Sequence, residues 1–219
     1  MIRTGLIWSS GTILLMLAGS LYARGALPAD GVFPIQWGVD GEPNRFATRS
    51  VVIFGLPLMA AAISAAFALA PIIDPRRDNL EKSKEFFLTG WIGGILIIGL
   101  AHAVIIASAM TGATPGVDLI LIGSAAFVGL AGNLMAKSKS NYFAGLRTPW
   151  TLSSDRAWSV GNRICGWGFV LSSVLMIAIM YLVDREIALK AMLAGLAASV
   201  VVGTLASYFA WRGDPQRAR

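Results

Sequence analysis

Few residues in this chain can do chemistry. There is one histidine, His102, and one cysteine, Cys165. Catalysis needs a nucleophile, a metal cluster or an acid/base pair within mutual reach. No Cys/His spacing suits a metal ion, so no metal ligand and no cofactor is expected. Asp155 and Arg147 form an acid/base combination, but Asp155 already has an explanation as a helix-start residue. The reading is not an enzyme. Recognition remains. Arg147 is the first choice for it, because a planar guanidinium grips a carboxylate or phosphate through two parallel hydrogen bonds. It stands in the run Asn141-Tyr142-Phe143-Ala144-Gly145-Leu146-Arg147-Thr148-Pro149-Trp150-Thr151-Leu152, followed by Trp158 and Asn162-Arg163.

The elements that must position this run are membrane helices. Of 219 residues, 56% are apolar and 14% charged, against about 25% charge in a soluble domain. Residues 5–23, 51–73, 86–110, 119–136, 164–183 and 191–211 carry no Asp, Glu, Lys or Arg. Each can cross a hydrocarbon core of about 30 Å as a helix. Alternating segments of about ten residues, as a membrane β-barrel needs, are not visible. The expected fold is an all-α integral membrane protein, a six-helix transmembrane bundle. The first span is read as a retained anchor, because its 19 charge-free residues exceed the usual apolar core of a signal peptide.

The net charge of +6 reads as a topology signal, not as a nucleic-acid surface. With the N-terminus inside, thirteen Lys and Arg fall on the inner side and five on the outer, while the acids divide six and six. Basic residues favour the cytoplasmic side, so both termini are expected there. The chain then divides into the first two spans with an external loop at 24–50 (1–73), a cytoplasmic loop with the third span (74–118), three further spans (119–211) and a basic tail (212–219).

Two connections are large enough to recognise something. In the external one, Pro28, Pro34 and Pro43 rule out a continuous helix, and Asp40-Gly41 favours a tight turn. A short hairpin is expected, with Phe33 to Trp37 on one side and Asn44 to Phe46 on the other, and Trp37 and Phe46 at headgroup level. In the internal one, the fourth helix ends near Lys137, and Asn141 and Gly145 suit turns. Thr148 before Pro149 is pushed toward extended geometry. Ser153 or Ser154 then caps an interfacial helix leading into the fifth span, carrying Trp158 on one side and Arg156 and Arg163 toward headgroups. Pro149 and Trp150 would hold the loop at the interface.

Inside the membrane, His102 and Asn133 are expected to hydrogen-bond across helix interfaces. On the sixth span, Ala191, Gly195, Ser199, Gly203 and Ser207 recur every four residues and mark a face for close helix approach. Gly90 and Gly94 suggest the same on the third span.

The run from Asn141 to Leu152, with Trp158 and Asn162-Arg163, resembles the signature of the SdpI-type membrane proteins, and Gly132 and Asn133 fit the same pattern. That family takes its name from the immunity protein against a secreted sporulation-delaying peptide toxin. The external segment resembles the uncharacterised domain that often precedes this signature, through Pro34, Gln36, Trp37, Gly41, Pro43 and Arg45. The sequence departs from those patterns where Gln36 and Asn162 replace His and Asn44 replaces Asp, so no titrating group stands there. The resemblance implies a bacterial inner-membrane protein giving immunity to a membrane-active peptide toxin. Its implied partners are membrane lipids, a peptide toxin outside and a cytoplasmic regulator held at the inner loop for signalling; direct nucleic-acid binding is not implied. A small transporter or lipid-handling protein is the second reading, against which the charge-free spans speak.

Overall fold

The computed structural model describes residues 1–38, 40–113 and 116–216. Arg217 and Arg219, counted above as inner-side charges, lie outside the described residues, as does part of the connection between the third and fourth spans. In chain order the elements are α1 (Ile2–Ala26), β1 (Val32–Trp37), β2 (Pro43–Thr48), α2 (Arg49–Ile73), α3 (Arg77–Lys82), α4 (Lys84–Leu88), a π-helical turn (Thr89–Gly93), α5 (Gly94–Thr111), α6 (Val117–Met135), α7 (Pro149–Leu152), α8 (Asp155–Leu182) and α9 (Arg185–Arg212). Six helical stretches are long and apolar enough to cross a membrane, with Lys84–Thr111 counting as one. Their outward faces carry large apolar side chains such as Leu15, Ile72 and Leu182, as expected of surfaces that meet lipid.

Packing gathers the chain into two compact units, one made of Ile2–Ala68 and Trp91–Ser124, the other of Leu69–Gly90 and Ala125–Arg219 together with Met1. These cuts fall at other places than the sequential division at 73, 118 and 211. The second helix and the third span each contribute to both units.

In the first unit, Ala23, Leu27, Phe33, Val52, Ile105 and Ile106 form a buried cluster. The β1–β2 hairpin is antiparallel, and its turn uses Gly41 at φ 87°, a conformation that glycine adopts without steric cost. Asp40 secures the turn by accepting from the Glu42 N–H at 3.0 Å. The two aromatic residues expected at headgroup level separate. Trp37 packs against the buried cluster, while Phe46 is exposed.

Deeper in this unit, Trp91 lies fully buried on the π turn. Its indole donates to Ser64 Oγ at 3.1 Å, and Ser64 pairs with Ser9 at 2.7 Å. Gly5 leaves room for the indole; a Cβ there would collide with the ring. The close approach expected at Gly94 is absent, since a Cβ would meet nothing within 4 Å.

The second unit is built on the antiparallel pair α8 and α9. Small residues interleave along it: a Cβ on Gly168 would strike Ser199, on Gly195 would strike Ser172 and on Gly203 would strike Cys165. This is the four-residue stripe read from the sequence, matched by small residues on α8. Such seams let helices associate in lipid, where packing rather than water exclusion supplies the attraction. Asp184 caps α9, accepting from the Glu186 and Ile187 N–H groups at 2.8 and 3.0 Å. The bond from Ile187 is the leading cause that holds its carboxyl below the usual range.

Candidate functional site, a braced loop

Residues 136–154 connect α6 to α8 and belong to the second unit. Without a regular element of its own length, this segment must satisfy its polar groups through side chains. Asn141, fully buried, does so first. Its Oδ1 accepts from the Phe143 and Ala144 N–H groups at 2.9 and 2.8 Å, and its Nδ2 donates to the Lys139 carbonyl at 2.8 Å. Gly145 follows at φ 113°. A side chain there would also strike Asn162 Oδ1 and approach the Trp158 ring within about 3 Å.

α8 supplies the wall. Trp158, 2% exposed, donates from Nε1 to the Ser138 carbonyl at 2.9 Å. Asn162 accepts the Leu146 N–H at 2.7 Å and donates to the Trp158 carbonyl at 3.0 Å. It therefore uses one acceptor and one donor, which an amide provides without titrating.

α7 closes the segment. Thr148 is extended (φ −120°, ψ 162°) and forms a reciprocal capping box with Thr151, with Pro149 at the helix start. Thr151, fully buried, also donates to the Leu146 carbonyl at 2.9 Å. Trp150 donates to Ser207 Oγ at 2.8 Å and meets the Tyr208 ring edge-on. Ser154, not Ser153, caps α8 and also donates to Asp214 Oδ2 at 2.5 Å. The helix it starts is continuous with the span, so residues 155–163 form its first turns.

The opposite brace is made of residues of the 74–85 connection, expected from the sequence only as a cytoplasmic loop, where α3 begins at Arg77. Asp74 is buried; its Oδ1 accepts from the Arg76 N–H at 2.7 Å and its Oδ2 from the Tyr142 N–H at 3.3 Å. The Arg76 guanidinium donates to Ser140 Oγ and, at 2.7 Å, to the Leu152 carbonyl. It lies 5.3 Å from the Tyr142 ring centroid. Asn79 donates to the Ser140 carbonyl at 2.9 Å, and Ser83 Oγ accepts from the Lys139 N–H at 2.8 Å. One signal for this was visible: an Asp-Pro step directly after a span, followed by an arginine.

The structure thus brings Asn141, Gly145, Thr148, Thr151, Trp158 and Asn162 together as interior supports. Leu152 joins them through its carbonyl, and Pro149 through the α7 start. Tyr142, Arg147 and Arg163 are exposed. Arg147 gives one arm to the Tyr142 carbonyl at 2.5 Å.

Elsewhere, Gln36 and Arg45 pair across the hairpin and are both exposed, while Pro34, Gly41 and Pro43 are half-buried. The departure to Asn44 falls on an exposed strand position. His102, 2% exposed, bonds through Nε2 to Ser20 Oγ at 2.9 Å and to the Met16 carbonyl at 3.2 Å. A carbonyl accepts only, so Nε2 carries the proton. Asn133 differs from expectation: it is exposed on α6, and the tight contact is made by its neighbour Gly132 against Gly166. The helix turns by about 100° per residue, which swings Asn133 off the packed face.

Substituting Arg76 by methionine keeps the stem and removes the fork. The expected result is a loss of about 2–3 kcal/mol, because bonds to a charged donor disappear together, with faster hydrogen exchange at Lys139 to Tyr142. Lysine in its place should recover less than half, since one ammonium cannot span both acceptors. Unchanged exchange in Arg76→Met would refute the brace.

Six apolar spans and a loop locked at the helix ends define a multi-pass membrane protein of the cell membrane. Residues 137–210 match the SdpI/YfhL protein family, and residues 11–61 match a domain of unknown function, DUF1648. The chain is 29% identical over 177 residues to the immunity protein SdpI of Bacillus subtilis (strain 168), covering 80% of this chain and 81% of that protein. In these regions the chain is similar to SdpI-type membrane proteins. No solved structure matches it.

Proposed function

We propose that this protein confers immunity on the cell that carries it, against a peptide toxin that acts on the membrane. The observation that carries this reading is the similarity to an immunity protein along four fifths of the chain. The charge asymmetry of the connections supports an orientation with the braced loop in the cytoplasm and the hairpin outside. Toxin would then meet the hairpin, where Gln36, Arg45 and Phe46 are exposed. The loop would be the output surface, with Tyr142 and Arg147 outward. Beside it lies a polar cavity of about 430 Å³ lined in part by Arg76, Asn79, Arg156 and Asp214. A cytoplasmic regulator held at the membrane would dock on this face.

The test is survival of cells expressing the protein at matched membrane abundance, challenged with membrane-active peptides and with unrelated stresses. Selective protection by the parent is expected. Arg147→Lys keeps the charge but loses the fork, and should lower protection about tenfold or more if the guanidinium contacts a carboxylate or phosphate. Full protection by Arg147→Lys would remove that contact. No protection by the parent against any peptide would sink the immunity reading.

A further inference from the structure

Two cavities of the second unit share Phe86 as a wall. The smaller, about 160 Å³, is lined by Lys82, Lys84 and Lys137, with Glu85 as its acid and Ser83 and Ser138 beside them. All three lysines are exposed, and none is held in an ion pair among the described residues. Three basic residues thus line it against one acidic residue. The larger cavity, about 430 Å³, is walled by apolar side chains that include Met135, Leu146, Phe169 and Val200; Arg147 is its one charged lining residue. Phe169 stands on α8 well past its start at Asp155, about 20 Å along the axis at 1.5 Å per residue. The apolar cavity therefore reaches from loop level toward the middle of the span.

This pairing is selective in chemistry. A free phosphate has no use for the apolar chamber, and a neutral hydrocarbon has none for the lysines. An amphiphile with an anionic head and a long chain satisfies both. Burying a chain contributes about 0.8 kcal/mol per CH₂, and each basic residue near a membrane surface adds about 1 kcal/mol toward an anionic headgroup. We propose that the two cavities form a binding site for an anionic phospholipid, its phosphate at Lys82, Lys84 and Lys137 and an acyl chain along Phe169 and Val200. The site is independent of the immunity reading and would stand without it. It places a lipid against Arg147 and Leu146, so lipid occupancy would support the loop from its membrane side.

The test uses the full chain, delipidated in a neutral detergent, and native mass spectrometry with added lipid. The probes are dioleoyl phosphatidylglycerol, dioleoyl phosphatidylcholine and the short-chain dihexanoyl phosphatidylglycerol. The parent should retain the long-chain anionic lipid over the zwitterionic one by about tenfold or more, and over the short-chain one as well. The triple change Lys82→Gln, Lys84→Gln, Lys137→Gln alters exposed residues only and should abolish the headgroup preference. Val200→Phe should weaken both long-chain lipids alike. The chain-length comparison on the parent tests the apolar chamber even if that variant folds poorly. Equal retention of the two dioleoyl lipids by the parent, or an undiminished preference in the triple variant, would overturn the proposal. So would equal binding of short and long chains, which would reduce the site to a surface anion contact. Displacement of bound lipid by an uncharged hydrophobic peptide, with no dependence on the lysines, would assign the chamber to peptide instead.

Discussion

Trp158→Ala is expected to release the loop and to cost about 3–5 kcal/mol, the range for deleting a buried aromatic side chain. The indole is 2% exposed, touches the space left by Gly145 and ties down the Ser138 carbonyl. Removing it opens a void beneath the turn and frees one end of the segment. The neighbouring amide of Asn162 would lose the wall that holds it against the Leu146 N–H. Trp158→Phe separates the two contributions. It keeps most of the ring and loses only the hydrogen bond, for about 1 kcal/mol. Unfolding in a detergent micelle, followed by tryptophan fluorescence under added sodium dodecyl sulfate, reads the stability. Hydrogen exchange at residues 141–148 reads the loop. The alanine variant should exchange faster there while α9 stays protected. If both variants lose the same small amount, the ring is not the keystone of the loop. Membrane insertion should survive in either case, because the apolar span that begins beyond it is unchanged.

The spans were legible because lipid makes one demand that composition alone meets: long charge-free runs that bond their own backbone. The hairpin was legible for a similar local reason, since Asp40-Gly41 has a strong turn preference whatever surrounds it. The small-residue stripe on α9 was visible by its period, although its partners on α8 were not. Gly161, Cys165, Gly168 and Ser172 follow a helix-face spacing of 4, 3 and 4, but Ser159, Gly166 and Ser173 are small as well, and only the crossing of two helices selects the set that meets α9. The loop was half legible. Thr148-Pro149 and Asn141 announce their local conformations, but the roles of Asp74, Arg76, Asn79 and Ser140 arise from contacts between segments more than sixty residues apart. No local preference encodes such a pairing. The same limit applies to Arg147. Its type suggested ligand binding, while the arginine with the richer set of protein contacts turned out to be Arg76, which looked like topology charge. Asn133 misled for a geometric reason. A polar residue in a span suggests an interface, yet the packed position is one residue earlier, at Gly132.

That glycine gives the second large effect. Where α6 crosses α8, Gly132 and Gly166 bring backbone against backbone. A Cβ on Gly132 would lie 2.7 Å from the Gly166 carbonyl oxygen and 2.7 Å from Phe169 Cβ, and a Cβ on Gly166 would run into the Gly132 carbonyl oxygen. A flexible side chain could swing away from such an overlap; a carbonyl oxygen inside a helix cannot. Gly166→Leu should therefore force the two helices apart and fall at or beyond the upper end of the usual overpacking cost, about 3 kcal/mol or more. Gly166→Ala should already be destabilising, although alanine is the better helix former by about 1 kcal/mol. Gly11→Ala supplies the control, because a Cβ there would meet nothing within 4 Å. It should leave stability unchanged or slightly raised. The same detergent titration compares all three. A Gly166→Ala variant as stable as the parent would mean that α6 and α8 do not pack at this separation, and the loop that joins them would lose its fixed base.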